Sequence, residues 1–341
     1  MANITAADKG PRPLLATVIL IGGLAVLLLT MGLSILYGAA DVKYATIWQS
    51  IYQFDASSTS HQIIRNLRIP RALAAALIGA ALAMSGAIMQ GMTRNPLASP
   101  SIMGVTSGAA FMMAVALVIT PGASNIAMML WAFAGAGLGT GIVFAVGSIS
   151  KTGLTPVKLA LAGTAVTAML NSLSSGISIH FNIAKDMSFW YAGGVSSVQW
   201  VHVKLLAPVV IIGIILALLL AHSITVMNLG EDVARGLGQR TGLIKFAGTI
   251  VVLLLTGVAV SVAGTIGFIG LVIPHITRFL VGINYRWIIP CSAILGAILL
   301  VAADTVSRMI NPPFETPVGT VTALIGVPFF LYLARREGRS L

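Results

Sequence analysis

The sequence predicts an all-helical membrane protein with about ten transmembrane helices. Of its 341 residues, 57% are hydrophobic and only 9% are charged, a composition that excludes a soluble globular domain. Apolar stretches of about 20 residues, the length that crosses a bilayer, recur along the whole chain. These stretches are continuously apolar, whereas apolar and polar residues alternate in a membrane β-strand. Helices are therefore the structure that satisfies their backbone hydrogen bonds.

Ten stretches meet this description, and the polar segments between them are too short to form a separate domain. We therefore expect residues 1–341 to form a single membrane domain. The first stretch is too long for the core of a signal peptide and shows no clear cleavage site, so we expect it to be retained. The predicted spans are 14–37, 70–91, 99–120, 125–148, 156–180, 202–222, 242–266, 269–282, 287–306 and 317–334.

The distribution of basic residues predicts that the N- and C-termini are both cytoplasmic. Of the 20 lysines and arginines, 13 then lie on the inner side of the spans and seven on the outer side, as the positive-inside rule requires. Because these residues flank spans, the formal net charge of +11 does not indicate a nucleic-acid partner. Three of the seven outer residues lie within Arg65-Asn-Leu-Arg-Ile-Pro-Arg71, against the rule, and we expect this cluster to have a function.

A polar island between the sixth and seventh spans has the pattern of a short amphipathic helix. Leu229, Val233 and Leu237 recur at i, i+4 and i+8 and form one narrow stripe. Glu231 and Arg235 are four residues apart on another face and can pair. Such a helix has no soluble core beside it, so we interpret it as a foot that projects from the membrane and meets another protein.

Prolines interrupt the helices at two further places. Two prolines within five residues break the chain between the second and third spans, which could direct Asn95 and Leu97 into a central path. The alternative there is an ordinary proline-rich turn. Pro274 and His275 lie in the short eighth span, where a histidine is a functional candidate. The alternative is that the histidine hydrogen bonds to backbone that the proline has freed.

Two other patterns have structural as well as functional explanations. Asp304 and Arg308, four residues apart near the outer end of the ninth span, can form an ion pair or can extend the outer basic cluster. Four alternate glycines from Gly135 to Gly141 resemble a nucleotide-binding loop, but they lie inside a span and are expected to pack helices. The sequence has no P-loop and no paired mid-membrane acids, so it predicts neither ATP hydrolysis by this chain nor coupling to an ion gradient.

A weak internal repeat relates the two halves of the chain. A shift of 178 residues aligns Gly86 with Gly264 and Pro96 with Pro274. The shift moves the second span five spans along, and an odd number of spans inverts the orientation, as in transporters built from inverted repeats. We therefore expect an inverted repeat of spans 2–5 and 7–10, although chance matches in a chain rich in glycine and alanine would look the same.

Eight sequence blocks are shared with one known family. They are Leu67-Arg-Ile-Pro-Arg71, Ser85-Gly-Ala-Ile-Met-Gln90, Asn95-Pro-Leu-Ala-Ser-Pro100, Leu229-Gly-Glu, Ala234-Arg-Gly-Leu-Gly238, Gly267-Phe-Ile-Gly-Leu-Val-Ile-Pro-His275, Pro317-Val-Gly319 and Gly326-Val-Pro-Phe-Phe330. On these blocks the chain resembles the permease subunits of bacterial ABC importers for iron–siderophores, haem and cobalamin, the FecCD or BtuC-like family. The resemblance extends from about Leu14 to Arg335 and implies the fold of a type II ABC importer permease.

The resemblance implies several protein partners. Two permease subunits, either this chain with a sister chain or two copies of it, surround a central path, and two cytoplasmic ATP-binding subunits dock on a coupling helix at about 229–239. ATP and Mg belong to those ATPase chains, and no cofactor, metal or catalytic residue is expected on this one. The implied coupling residues are Gly230, Glu231, Asp232, Ala234, Arg235, Leu237 and Gly238.

The resemblance also implies an extracytoplasmic solute-binding protein whose acidic residues dock on arginines of the permease. The matching positions are Arg68, Arg71 and Arg308, to which we add Arg65. The cytoplasmic gates of such permeases lie in the loops after the second and fourth spans. The corresponding residues are Asn95, Leu97, Gly153, Leu154 and Thr155.

The implied cargo is a ferric siderophore carried across the plasma membrane of a bacterium. The segment Phe189-Trp-Tyr-Ala-Gly-Gly194 is most similar to siderophore systems and favours the hydroxamate type, with haem and cobalamin as alternatives within the family. An ion-coupled secondary transporter and a membrane-embedded enzyme are alternatives from other classes. The first needs mid-membrane acids, and the second needs a nucleophile–base pair or a metal constellation, which His275 alone does not provide.

Overall fold

The computed structural model describes residues 12–38, 44–148, 156–312 and 314–337, and every regular element in these ranges is helical. A π-helical turn, Ile64–Arg68, joins the third helix to the fourth, and a 3-10 helix, Pro100–Met103, precedes the fifth. The helices are α1 Pro13–Leu36, α2 Tyr44–Tyr52, α3 Thr59–Ile63, α4 Ile69–Thr93, α5 Val105–Ile119, α6 Asn125–Ser148, α7 Pro156–His180, α8 Ala184–Ala192, α9 Trp200–Asn228, α10 Glu231–Gly236, α11 Thr241–Ala263, α12 Ile269–Val281, α13 Tyr285–Met309 and α14 Val318–Glu337.

Each predicted span coincides with one of these helices, so the prediction of an all-helical membrane fold is confirmed. Within the described ranges, six helices are long and apolar enough to cross a membrane, namely α1, α3 continued into α4, α6, α9, α11 and α13. Apolar stretches of 10–17 residues in α5, α12 and α14 are shorter candidates. The 25-residue α7 is long enough but more polar, and the whole set is compatible with about ten spans.

α4 forms the centre of the bundle. In the continuous helix Thr59–Thr93, 83% of the most apolar stretch is buried, compared with 6% in α1 at the periphery. α4 packs against α9, α11, α12 and α13, and most of its buried residues are alanine, glycine and methionine. Small side chains let four helices approach one axis closely, which is how membrane helices gain packing energy without a hydrophobic driving force.

Glycines bring α4 into backbone contact with two of its neighbours. A Cβ atom at Gly86 would overlap the carbonyl oxygen of Gly270 in α12. A Cβ atom at Gly79 would in the same way overlap the carbonyl oxygen of Gly296 in α13. Any side chain at these positions forces the helices apart, and overpacking of this kind typically costs about 1–3 kcal/mol.

Two of the four alternate glycines in α6 pack against α5. Cβ atoms at Gly135 and Gly139 would overlap the backbone of α5 at Gly108 and Gly104, whereas Cβ atoms at Gly137 and Gly141 would meet nothing within 4 Å. The segment is helical from Asn125 to Ser148. The glycines therefore serve helix packing, as expected, and do not form a nucleotide-binding loop.

The helix boundaries do not follow the 178-residue shift of the predicted repeat. The shift pairs Gly86, which lies inside α4, with Gly264, which ends α11. It also moves the end of α4 well beyond the end of α11. The inverted repeat therefore gains no support from this alignment and stays a prediction.

Candidate functional site

The functional residues predicted from the sequence lie at opposite ends of the bundle. The end where α1 finishes and α4 begins contains Arg68, Arg71 and Arg308, and we call it the arginine end. The end that contains α10 is called the foot end. α4 runs from one to the other, so it is the structural link between the two groups of residues.

Arg71 binds two acidic residues at the arginine end, Asp304 and Glu315. Its Nη2 donates to Oδ1 of Asp304 at 2.8 Å and its Nε donates to Oδ2 at 3.0 Å. Its Nη1 donates to Oε1 of Glu315 at 2.6 Å. Asp304 is only 1% exposed, and Nη2 of Arg308, 3.4 Å from Oδ2, provides its second positive neighbour. A buried carboxylate needs such pairing, because an isolated charge is costly away from water.

Arg68 and Arg308 bind the last carbonyl groups of α1. Nη1 of Arg68 donates to the carbonyl oxygens of Ile35 and Leu36, both at 2.7 Å. Nη2 of Arg308 donates to Oγ of Ser34 at 2.7 Å and to its carbonyl oxygen at 3.1 Å. The last carbonyls of a helix lack intrahelical partners and favour a positive charge. The two arginines therefore fasten the end of α1 to the π-helical turn and to α13.

Three of the four arginines that were predicted to dock a solute-binding protein are buried in this structure, and their docking role stays a prediction. Arg68 and Arg308 are 6% exposed and Arg71 is 8% exposed. The ion pair between Asp304 and Arg308, one of the two explanations of their spacing, is present. Of the four predicted docking arginines, only Arg65 is exposed. Direct docking by the other three requires that their present partners release them.

α10 is the short amphipathic helix predicted for the foot, although it spans only Glu231–Gly236. Leu229, Val233 and Leu237 are 56%, 48% and 65% exposed, so the apolar stripe faces away from the protein. Gly230 has a φ of +133° and Gly238 a φ of +80°, conformations that favour glycine. These two glycines form the sharp turns that let the foot leave α9 and return to α11.

Glu231 fastens the foot to α11. Its Oε1 accepts a hydrogen bond from Nη2 of Arg235 and its Oε2 accepts one from Nζ of Lys245, both at 2.7 Å. The hydroxyl of Thr241 donates to Oε1 at 3.3 Å. The predicted Glu231–Arg235 pair is therefore present, and Lys245 and Thr241 are partners that sequence spacing did not indicate.

The electrostatics of Glu231 keep this attachment intact at neutral pH. The hydrogen bond from Lys245 is the main cause that holds the pKa of Glu231 below its ordinary value of 4.5. A lowered pKa means that the folded protein favours the carboxylate, so the stabilisation is complete above pH 4.5 and is lost as the pH falls through the lowered pKa.

The carbonyl group freed by Pro274 has a partner from another helix. Proline has no N–H group, so the carbonyl oxygen of Gly270 lacks its helical donor. Nε2 of Gln90 lies 3.4 Å from this oxygen. Gln90 of α4 therefore serves the freed carbonyl. The role of His275 stays a prediction, and its ring packs edge-on against Phe329, with centroids 5.7 Å apart.

The first predicted gate follows a real break in the helix. α4 ends at Thr93, and Arg94 has a left-handed φ of +53°. The side-chain oxygen of Asn95 accepts a hydrogen bond from the backbone N–H of Leu97 at 2.9 Å, which closes an Asx turn. The gating role of these residues stays a prediction. The second predicted gate, residues 153–155, lies outside the described residues.

α7 carries an exposed polar stripe that the sequence analysis did not identify. The opposite face packs tightly, since a Cβ atom at Gly163 would overlap the carbonyl oxygen of Ile102. The hydroxyls of Thr164 and Ser172 donate to carbonyl groups of α7 itself, both at 2.9 Å. The amide of Asn171 has no such intrahelical bond among the described residues, and lipid is a poor neighbour for an exposed amide, so water or another protein subunit suits this face better. The helical spacing of its polar residues is the signal that could have revealed it. The stripe consists of Thr164, Asn171, Ser172 and Ser175.

A cavity of about 450 Å³ lies at the arginine end. Arg71, Asp304 and Glu315 line one part of it, and residues of the segment 189–197 line another. The indole Nε1 of Trp190 in that segment is buried and has no hydrogen-bond partner among the described residues. The charged residues that line the cavity are one arginine and two carboxylates, and the arginine is paired with both carboxylates.

Comparison with known proteins decides the family. The sequence pattern of the FecCD transport family matches residues 26–336. The chain belongs to the FecCD transport family. This FecCD protein is 60% identical over 326 residues to the iron(3+)-hydroxamate import system permease protein FhuB of Bacillus subtilis, a match that covers 96% of this chain and 85% of the relative. It is also 50% identical over 321 residues to the iron-uptake system permease protein FeuB of the same organism, covering 94% and 96%.

A solved structure supports the same assignment. The FecCD protein is similar, with a TM-score of 0.82 and 28% sequence identity, to a metal-chelate type ABC transporter in an inward-facing conformation. The match covers 93% of this chain and 99% of that chain. The family resemblance drawn from the sequence blocks is therefore confirmed.

Replacing Arg308 with glutamine should destabilise the FecCD protein, because Asp304 and the end of α1 both lose a charged partner. Loss of a buried hydrogen bond to a charged group costs about 1.5–3 kcal/mol. Thermal unfolding of the purified protein in detergent should give a lower Tm. Arg65→Gln removes a charge from the same end at an exposed position and should leave the Tm unchanged. Equal Tm values for both variants and the unmodified protein would rule out the structural role of Arg308.

Proposed function

We propose that this chain is the membrane-spanning permease subunit of an ATP-driven importer of ferric siderophores in a bacterial plasma membrane. The observation that carries the proposal is the foot, which presents an exposed apolar stripe at one end of the membrane bundle. The sequence contains no ATP-binding loop, so the ATPase would be a separate protein that binds such a surface. Membership of a transport family and the similarity to permease proteins support the same reading.

The foot is the proposed contact for the ATP-binding subunits, which would hold the ATP and Mg. Leu229, Val233 and Leu237 offer them an apolar surface, and Asp232 is exposed beside it. The bonds of Glu231 to residues of α11 give a displacement of the foot a direct route into the bundle. The foot end would then be cytoplasmic, together with both termini.

The polar stripe of α7 is the proposed lining of the transport path. A second permease subunit, a sister chain or a second copy, would lie opposite this stripe and enclose water between the two chains. The stripe would then be hidden from lipid, which suits the exposed amide of Asn171. Asn95, Leu97 and the loop at 153–155 would close the path at the foot end.

A solute-binding protein would deliver the siderophore at the arginine end. Arg65 is the proposed first contact, because it alone of the four cluster arginines is exposed. Acidic residues of the partner could then compete with Asp304 and Glu315 for Arg71 and Arg308. Charge complementarity of this kind mainly raises the association rate and fixes the orientation of the complex.

The hydroxamate class is the proposed cargo. The relative with 60% identity carries iron(3+)-hydroxamate in its name, and the segment that favoured this class in the sequence lines the cavity at the arginine end. Haem or cobalamin is the alternative within the family. An ion-coupled secondary transporter finds less support, because Asp304, a buried acid in a span, is already paired with two arginines.

Placing charges on the foot should abolish transport while leaving the fold of the protein intact. Val233→Asp combined with Leu237→Asp should abolish most stimulation of the ATPase subunits and most siderophore uptake, because a charged stripe cannot enter an apolar interface. The variant should reach the membrane in normal amounts, since both side chains face solvent. Val233→Ile with Leu237→Met keeps the surface apolar and should keep uptake. Normal uptake by the aspartate variant would contradict docking at the foot.

Uptake of labelled ferric siderophores tests the cargo. Cells that lack this gene should lose uptake of a ferric hydroxamate and keep uptake of a ferric catecholate, and restoring the gene should restore the hydroxamate signal. Loss of the catecholate signal alone would keep the transport function and overturn the substrate class. Loss of neither, in cells without a redundant importer, would point to haem or cobalamin.

A further inference from the structure

The short helix α2, Tyr44–Tyr52, has no part in the foot, the arginine cluster or the polar stripe. Its large apolar residues recur at i, i+4, i+7 and i+8 and so form one stripe along the helix. Tyr44, Trp48, Ile51 and Tyr52 are 69%, 63%, 54% and 75% exposed. An apolar surface that is so concentrated and so exposed normally marks an interaction site.

The other side of α2 attaches the helix to the protein. Ser50 is buried, and α2 packs against α3, the π-helical turn and α1. On the exposed side, the rings of Trp48 and Tyr52 stack, with centroids 5.5 Å apart and planes 16° from parallel. The stripe is therefore a preformed aromatic surface on a helix whose position is fixed from behind.

The position of α2 relates this surface to the membrane boundary. α1 is peripheral, with only 6% of its most apolar stretch buried in protein, so much of its surface faces lipid in a bilayer. The end of α1, where Arg68 and Arg308 bind its last carbonyls, lies near one surface of the membrane. α2 packs beside this end and beside the π-helical turn that precedes α4. The aromatic stripe is thus held at the same end of the bundle as the arginine cluster, beside the end of a peripheral helix.

We propose that α2 is an interfacial helix that lies on the membrane surface at the arginine end, with its aromatic stripe among the lipid headgroups. Tyrosine and tryptophan are enriched at this depth because their rings enter the apolar layer while the hydroxyl or indole N–H stays hydrated. An amphipathic helix in this plane buries its apolar face at the boundary between headgroups and acyl chains.

Among the described residues next to α2, the exposed acid Asp55 and the exposed base Arg65 have opposite charges. The helix contains no acidic or basic residue. Arg65 lies beside it, with its guanidinium 4.5 Å from the centre of the Phe54 ring, and supplies a positive charge to lipid phosphates. The interfacial helix would fix the depth of the arginine cluster relative to the membrane surface.

Spin labels report the surroundings of the stripe directly. Cys291 is the only cysteine of the chain and is buried, so Cys291→Ala gives a background for single labels. Nitroxide labels are placed at Tyr44→Cys, Trp48→Cys and Tyr52→Cys, and at Gln49→Cys, which is exposed on the flank of the same helix. The full transporter, with its partner subunits, is reconstituted in phosphatidylcholine–phosphatidylglycerol vesicles. Collision rates are then measured with oxygen, which concentrates in lipid, and with a water-soluble nickel chelate.

The proposal predicts a ratio of oxygen to nickel collisions that is severalfold higher at the three stripe positions than at Gln49. Three separate stripe labels keep the test valid if one variant fails to fold, and siderophore uptake identifies the variants that remain intact. Equal ratios at all four positions would mean that the stripe faces water and would overturn the proposal. Low collision rates with both reagents at the stripe would show that a protein subunit covers it, which would also overturn the proposal.

Discussion

The backbone contact between Gly86 of α4 and Gly270 of α12 is the constraint on which the rest of the structure depends. No side chain fits between the two helices at this point, so their spacing and register are fixed together. The same contact places Gln90 beside the carbonyl that Pro274 leaves free, one turn further along α4. Near its other end α4 carries Arg71, whose partner Asp304 belongs to α13. A shift of α4 would therefore disturb both ends of the molecule at once.

The two ends use charged and apolar residues in opposite ways. At the arginine end, guanidinium groups are buried and serve as ties between α1, α4 and α13. At the foot end, Glu231 and Lys245 tie α10 to α11, while the exposed surface is apolar. At both ends the charged side chains join helices of the same chain. The surfaces that are exposed to other molecules consist mainly of apolar or uncharged polar residues. Removing one partner of a buried pair, as at the arginine end, is destabilising, because it leaves the other charge without compensation.

Features encoded by nearby residues were predictable from the sequence, and those that depend on distant partners were not. The lengths of the apolar stretches predicted ten spans, each of which coincides with a described helix. The helical spacing of residues predicted the foot stripe and the Glu231–Arg235 pair. The burial of Arg71 depends on Asp304, 233 residues away, and the bond from Gln90 to Gly270 joins residues 180 apart. No local pattern chooses such partners. The polar stripe of α7 was missed because its residues are individually ordinary and become informative only when the buried face is known.

The most direct test of this account compares Gly86→Ala with Gly137→Ala. Both changes replace glycine with alanine inside a membrane helix. Alanine favours the helical conformation over glycine by roughly 0.5–1 kcal/mol, and this contribution is common to both variants. They differ in space, because a Cβ at position 86 overlaps Gly270, whereas a Cβ at position 137 meets nothing within 4 Å. Thermal unfolding in detergent should give a clearly lower Tm for Gly86→Ala and an unchanged or higher Tm for Gly137→Ala. A Gly86→Ala protein as stable as the Gly137→Ala protein would contradict the central role of the α4–α12 contact.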